Sequence, residues 1–98
     1  MKGLNRKYID NFIEEYFFDE SDKILLADGF DEAFLGIGCS FGGKNVAIYD
    51  RSKCIEILQE DMSWGEAEEY FTYNVESAYM GEYTPIFMHK AGDENNAY

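Results

Sequence analysis

An amphipathic helix is the first element that the hydrophobic pattern predicts. Across residues 5–18, apolar side chains recur at helical spacing and fall on one side of a helix. Arg6 and Lys7 lie early in this segment, and Asp19 and Glu20 follow it, so the charges oppose the helix dipole. We therefore expect packing of the apolar stripe, and not the helix ends, to hold the helix. The stripe consists of Tyr8, Ile9, Phe12, Ile13, Tyr16 and Phe17.

The middle of the chain predicts a β-hairpin. Residues 33–40 alternate small and large side chains around two glycines, which is typical of a strand that another backbone approaches closely. The sequence FGGK at residues 41–44 predicts a tight turn, because its glycines allow positive φ, and residues 46–49 predict the return strand. Asp-Gly at residues 28–29 predicts an earlier turn. The apolar run at residues 24–27 is compatible with either a strand or the start of a turn and helix.

Two helices are predicted after the hairpin. Asp50 is expected to cap the first, a short helix that ends near Glu60. Ser63 and Glu66 have the spacing of a capping box, which begins a second helix over residues 64–79. The buried face expected on the second helix consists of Trp64, Ala67, Phe71, Val75, Ala78 and Tyr79.

A last strand completes an α+β fold. Gly81 is placed to end the second helix, and residues 85–89 predict a strand with its proline at the start or on an edge. The expected order is α-β-β-α-α-β, with a small antiparallel sheet, formed by the hairpin and the terminal strand, packed with helices. The expected division is one domain at residues 1–98, with an N-terminal amphipathic helix at 1–20, an α+β core at 24–90 and a frayed tail at 91–98.

The composition of the 98-residue chain is that of a folded and strongly acidic domain. Aromatic residues make up 17% of the chain, and their large buried area compensates for its small size. Twenty Asp and Glu against eight Lys and Arg give a formal net charge of −12. Because such a surface repels nucleic acid and anionic lipid, we expect neither as a direct partner, and a basic protein surface or a metal ion is favoured instead. Acidity that only maintains solubility explains the charge equally well.

No targeting segment, membrane span or zinc site is expected. Charged residues interrupt the apolar positions of residues 8–17, and no apolar run approaches the roughly 18 residues of a membrane span. Cys39, Cys54 and the single His89 are too few for a structural zinc site. Both cysteines lie in apolar patterns, so we expect them to be reduced core residues of a cytoplasmic protein.

No catalytic or cofactor-binding constellation is expected either. Residues 38–45 (GCSFGGKN) differ by one letter from the phosphate-binding pattern GxxxxGK[ST], with Asn45 in place of the hydroxyl residue. A strand-like segment follows, so the loop amides do not converge on a helix N-terminus, and we interpret the loop as a hairpin turn. Asp28, Asp31 and Glu32 lack EF-hand spacing and are interpreted as exposed turn acids. We therefore predict that the protein is not an enzyme and holds no cofactor or metal.

Two acidic stretches are the candidate partner-binding surfaces. Carboxylates repeated along a rigid helix can imitate the phosphates of a duplex and occupy the nucleic-acid groove of another protein. The competing interpretation is a solvated face, which dense charge commonly forms. The candidate residues are Glu14, Glu15, Asp19 and Glu20 (beside Asp22) in the first stretch, and Glu66, Glu69, Tyr70, Tyr73 and Glu76 (beside Glu68) in the second.

Three stretches, in fixed order, carry a resemblance to known proteins: ILLADGFDEAFLGIG, VAIYDRSKCIEIL, and MSWGEAEEYFTYNVESAYMGEYTP with the IF that follows. Together they resemble a family of small acidic proteins of unknown function that phages and prophages encode. The resemblance covers about the central two thirds of the chain and omits the N-terminal helix. It implies a virus-derived protein that acts in the cytoplasm of a bacterial host, and it assigns no functional residue.

Three functions remain open at this point. The leading hypothesis is a phage accessory protein that inhibits a host defence protein, of the anti-CRISPR or anti-restriction type, through an acidic surface on its basic nucleic-acid-binding site. The second is a protein that sequesters a nucleotide signal, with aromatic rings on the base and the clustered cations Lys44, Arg51 and Lys53 on the phosphates. The third is a structural or assembly module of a phage. A homo-oligomer is compatible with each.

Overall fold

Six regular elements make up the fold in a computed structural model that describes residues 5–92. A 3-10 turn at Phe18–Glu20 follows the first helix, a second one at Asp31–Ala33 leads into the first strand, and a π-helical turn at Thr72–Glu76 extends the third helix. The regular elements are α1 (Arg6–Tyr16), β1 (Phe34–Gly38), β2 (Val46–Asp50), α2 (Arg51–Leu58), α3 (Trp64–Phe71) and β3 (Ile86–Met88).

The three strands form one mixed sheet in the order β1-β2-β3. β1 and β2 pair antiparallel, with Phe34 opposite Tyr49, whereas β2 and β3 pair parallel, with Tyr49 opposite Phe87. The α+β class and the element order are thus confirmed. The expectation of an antiparallel sheet holds for the hairpin and not for β3. The reason is the connection: α2 and α3 carry the chain back across the sheet, so β3 runs in the same direction as β2.

The predicted hairpin turn is present between β1 and β2. The Gly43 N–H donates to the Ser40 carbonyl at 2.8 Å, and Gly42 adopts a φ of +76°, which favours glycine. β2 follows the turn directly, so the loop that resembles a phosphate-binding sequence leads into a strand, as the hairpin interpretation requires.

A row of aromatic rings across the sheet forms the centre of the core. The centre of the Tyr49 ring on β2 lies 5.7 Å from the ring centre of Phe34 on β1 and 5.7 Å from that of Phe87 on β3. Phe12 of α1 packs near the first end of the row, 6.4 Å from Phe34, and Phe71 of α3 packs on the other end, 5.0 Å from Phe87. α1 and α3 therefore cover this face of the sheet, and each of the two packs against a different edge strand.

The segment at residues 24–27, which the sequence left open, is neither a strand nor a helix. A side chain of the central strand holds it: the Ala27 N–H donates to Tyr49 Oη at 2.8 Å. Ile24 is buried in the same core as Ile9 and Ile13 of α1. The N-terminal helix and the rest of the fold consequently share one hydrophobic core.

The helix starts were predicted better than the helix ends. Asp50 Oδ1 accepts the Lys53 N–H at 3.3 Å, and Ser63 and Glu66 form the predicted capping box. α3, however, ends eight residues before Tyr79 because the chain passes into the π-helical turn. There Asn74 and Ser77 donate side-chain hydrogen bonds to backbone carbonyls one turn earlier, which competes with regular helix.

Three residues expected on the buried face of the second helix are exposed. Ala67 and Phe71 are buried as predicted, but Trp64, Ala78 and Tyr79 face solvent. The apolar pattern continues in the sequence past the end of the helix, so it predicts for Ala78 and Tyr79 a helical face that the structure does not form. No helix of the described range, residues 5–92, is long and apolar enough to cross a membrane. Most of the predicted tail, residues 93–98, lies outside that range.

Candidate functional site

The end of α1 and the turn after it carry an exposed group of acids and aromatic rings. We name Glu14, Glu15, Tyr16, Phe18 and Asp19 the α1 patch. The Tyr16 and Phe18 side chains are 65% and 74% exposed. Within the part of the chain that the structure describes, the three carboxylates of this patch form no hydrogen bond or ion pair, and all three are exposed. Charge and apolar area are therefore both available to a partner here.

Glu20, the fourth acid predicted in this stretch, has a structural role beside the α1 patch. Its carboxylate accepts a hydrogen bond from Asn45 Nδ2 and another, at 3.0 Å, from Tyr83 Oη. These donors stabilise the ionised form, Asn45 most strongly, and lower the pKa of Glu20. Glu20 thus ties the Phe18–Glu20 turn to the hairpin and to the turn before β3, which fixes the position of the α1 patch.

The outer surface of α3 and of the π-helical turn after it carries a second group, which we name the α3 patch: Glu66, Glu69, Tyr70 and Tyr73. All four side chains are exposed. The Glu66 carboxylate also accepts the Ser63 N–H at 3.0 Å, and this bond lowers the pKa of Glu66. Glu66 is consequently part of the helix cap, and Glu69 is the unengaged acid of the patch among the described residues.

Glu76, predicted on the same acidic face, points instead into an ion pair. Arg51 donates to its two oxygens at 2.8 and 3.2 Å, and the Glu76 side chain is 29% exposed. Arg51 also donates to Thr72 Oγ1 and lies over the Phe71 ring, 5.5 Å from its centre. This bidentate pair joins the start of α2 to the π-helical turn, so Glu76 belongs to the packing of the helices.

The two patches belong to different helices, which pack against different edge strands of the sheet. α1 packs against β1 through Phe12 and Phe34, whereas α3 packs against β3 through Phe71 and Phe87. The structure therefore does not gather the predicted acidic residues into one surface. It separates them into two patches and assigns Glu20 and Glu76 to internal contacts.

The cationic cluster predicted for a nucleotide is divided as well. Arg51 and Lys53 line a cleft of about 510 Å³, together with Lys90, while Lys44 lines another cleft, of about 400 Å³, beside the hairpin. In the first cleft Lys53 pairs with Glu56 at 2.9 Å. The cations there are thus neutralised by the protein's own carboxylates.

The wall of this first cleft contains two residues that the sequence analysis did not single out together. Trp64 and Glu68 are four residues apart on α3 and both line the cleft. The apolar pattern predicts Trp64 on the buried face of the helix, and Glu68 is one of several acids beside it. Their i, i+4 spacing was the available signal, because such residues are neighbours on a helix surface.

The remaining candidates are the two cysteines and the turn acids, of which Asp31 is half-buried and not exposed as expected. Among the described residues no group of His, Cys, Asp or Glu could hold a metal ion. Arg6 donates to Asp28 and Asp10 at 3.2 and 3.3 Å, so the acids near the first turn are partly paired.

Cys54 is buried, and burial raises the pKa of its thiol to about 12. Cys39 is exposed at the hairpin, which corrects its assignment to the core: the apolar pattern of β1 ends one residue before it.

Comparison with known proteins gave no relative for this arrangement: no family model, no curated protein and no solved structure matches the chain.

Proposed function

We propose that this protein is an inhibitor that binds the basic, nucleic-acid-binding surface of a bacterial defence protein through the α1 patch. The observation that carries the proposal is the exposure of Tyr16 and Phe18 among three carboxylates that no residue in the range 5–92 engages. The resemblance to phage-encoded proteins supports the choice of a host defence protein as the partner.

The combination of aromatic rings and charge distinguishes this patch from a surface that is only soluble. Solubility requires charge, but it does not require two large aromatic side chains to be more than half exposed. Protein interfaces are enriched in aromatic residues, which supply most of the binding energy from a few positions. Carboxylates around them attract a basic partner and orient its approach.

The net charge of the chain favours such a partner. At −12, the protein repels nucleic acid and attracts surfaces that carry Lys and Arg. A defence protein presents such a surface where it holds nucleic acid. The protein would then compete with nucleic acid for one surface.

The test is competition for a captured partner. The inhibitor is used to capture partners from a bacterial lysate. The binding of each captured partner to nucleic acid is then measured in the presence and in the absence of the inhibitor. We expect the wild type to abolish that binding, and raised salt to weaken the effect, because ion pairs at a solvated surface are screened over roughly 8–10 Å at physiological ionic strength.

Two charge-reversal variants separate the patch from bulk charge. Changing Glu14, Glu15 and Asp19 to Lys is expected to remove the inhibition. A matched variant changes three exposed acids elsewhere by the same total charge, and we expect it to retain inhibition. The acids of this matched variant are Glu32, Asp61 and Glu82. Equal loss from both variants, or captured proteins that still bind nucleic acid normally, would contradict the proposal.

A further inference from the structure

An exposed tryptophan and a neighbouring carboxylate line the cleft at the start of α2. Trp64 is 42% exposed and lines this cleft of about 510 Å³. Glu68, one helical turn further along α3, lines the same wall and is half-buried. In the part of the chain that the structure describes, its carboxylate has no hydrogen bond or ion pair.

The remaining charged side chains that line the cleft are already paired. Arg51 is bound to Glu76 and Lys53 to Glu56. Lys90 Nζ lies 3.0 Å from Asp50 Oδ2, and the second oxygen of Asp50 accepts the Lys53 N–H. An anionic ligand would have to displace one of these carboxylates. Among the cleft residues that the structure describes, Glu68 is the charged side chain without a counterion, so a cation fits the cleft as it is.

We propose that the Trp64–Glu68 cleft binds a guanidinium group, that of an arginine side chain on the partner protein. A guanidinium is planar and stacks on an indole face while it donates two hydrogen bonds to a carboxylate. A lysine ammonium is more strongly hydrated and offers no flat face. The choice of a protein as the source of the arginine rests on the proposed function, whereas the preference of the cleft for a guanidinium does not.

Trp64 is the only tryptophan of the chain, so its fluorescence reports on this cleft directly. The probe is acetyl-Gly-Arg-Gly-amide, titrated into the purified full chain. We expect a saturable change in Trp64 emission, a weaker one with the lysine peptide, and none with the citrulline peptide, which keeps the shape of arginine without its charge. Glu68→Gln is expected to weaken arginine binding by about tenfold, the effect of losing one charge-assisted hydrogen-bonded partner.

A matched variant, Glu82→Gln, removes one exposed acid outside this cleft and is expected to bind the arginine peptide as the wild type does. Equal binding of the citrulline peptide, unchanged binding in Glu68→Gln, or a response to adenosine monophosphate in place of arginine would overturn the inference. Absence of arginine binding in a protein that still blocks its partner refutes the cleft alone. Arginine binding without any blocked partner refutes the proposed function alone.

Discussion

At the scale of single residues, neighbours decide what an acidic side chain does. Glu20 and Glu76 belong to the same stretches as Glu15 and Glu69, yet the first two are engaged by donors from distant parts of the chain. Asn45 and Arg51 are 25 residues from their acceptors Glu20 and Glu76. A charge pattern therefore predicts which residues are acidic and exposed on average, and tertiary contacts decide which of them are available to a partner.

Tyr49 gives the sharpest test at this scale. Tyr49→Phe removes the acceptor of the Ala27 N–H and is expected to lower the free energy of unfolding by about 1 kcal/mol at neutral pH. Chemical denaturation of the two proteins measures this difference. A change below measurement error would mean that water replaces the hydroxyl without cost.

The effect of Tyr49→Phe on the free energy of unfolding also depends on pH, and the direction of this dependence follows from the pKa of Tyr49. Burial raises the pKa of Tyr49 to about 12, whereas the unfolded chain ionises this hydroxyl near 10. Above pH 10 the unfolded state therefore loses a proton that the folded state keeps, and stability falls as the pH rises. Tyr49→Phe lacks this contribution, so we expect its stability to decline less steeply than that of the wild type between pH 10 and 11. Parallel declines would show that Tyr49 ionises normally in the folded protein.

At the scale of elements, the junction of β2 and α2 organises both the helix pair and the cleft. Asp50 ends the strand, caps the helix and binds Lys90, which follows β3. Arg51, the first residue of α2, holds Glu76 after α3. Two consecutive residues thus connect the start of α2 to the segment after β3 and to the π-helical turn after α3.

Substitutions at Asp50 separate its two contacts. Asp50→Ala is expected to lower the free energy of unfolding by about 0.5–2 kcal/mol, because the helix loses its cap. Asp50→Asn keeps the cap and loses the ion pair with Lys90, so we expect a smaller loss of stability than in Asp50→Ala. Thermal unfolding of the two variants tests this order. Inhibition lost in Asp50→Asn at unchanged stability would indicate a chemical role for Asp50 and contradict the prediction that the protein is not an enzyme.

At the scale of the whole molecule, β2 is the part most enclosed by the rest. It pairs on both sides, and Ala47 and Tyr49 are fully buried. β1 and β3 are edge strands, and on the sheet face away from the helices Ile86 and Met88 remain exposed. Stability is consequently expected to fall from the central strand outward.

Hydrogen exchange tests that gradient. The slowest amides are expected in β2 and near Phe71, since both combine backbone pairing with buried side chains, and those of β3 should exchange faster. The matched reference within the same protein is the turn at residues 41–43, which is exposed and lies outside the strands. Exchange in β2 as fast as in this turn would show that the sheet is not the stable centre of the fold.

The sequence by itself determined the local features of this protein. The caps at Asp50 and Ser63 and the glycine turn between β1 and β2 were predictable, because their geometry depends on residues only two to four positions apart. The acidic and aromatic content was likewise visible without a structure. These features were sufficient for the α+β class and the order of the elements.

Tertiary structure alone decided the direction of β3 and the composition of the candidate sites. β3 is parallel because two helices intervene, and 35 residues lie between it and its partner strand, a separation that no local pattern encodes. Glu20 and Glu76 are not available on the predicted acidic surfaces, because they accept hydrogen bonds from residues in remote segments. Trp64 and Glu68 line a cleft only because α2 packs beside α3. Each of these outcomes depends on contacts between residues far apart in the chain, which local helix and strand propensities do not encode.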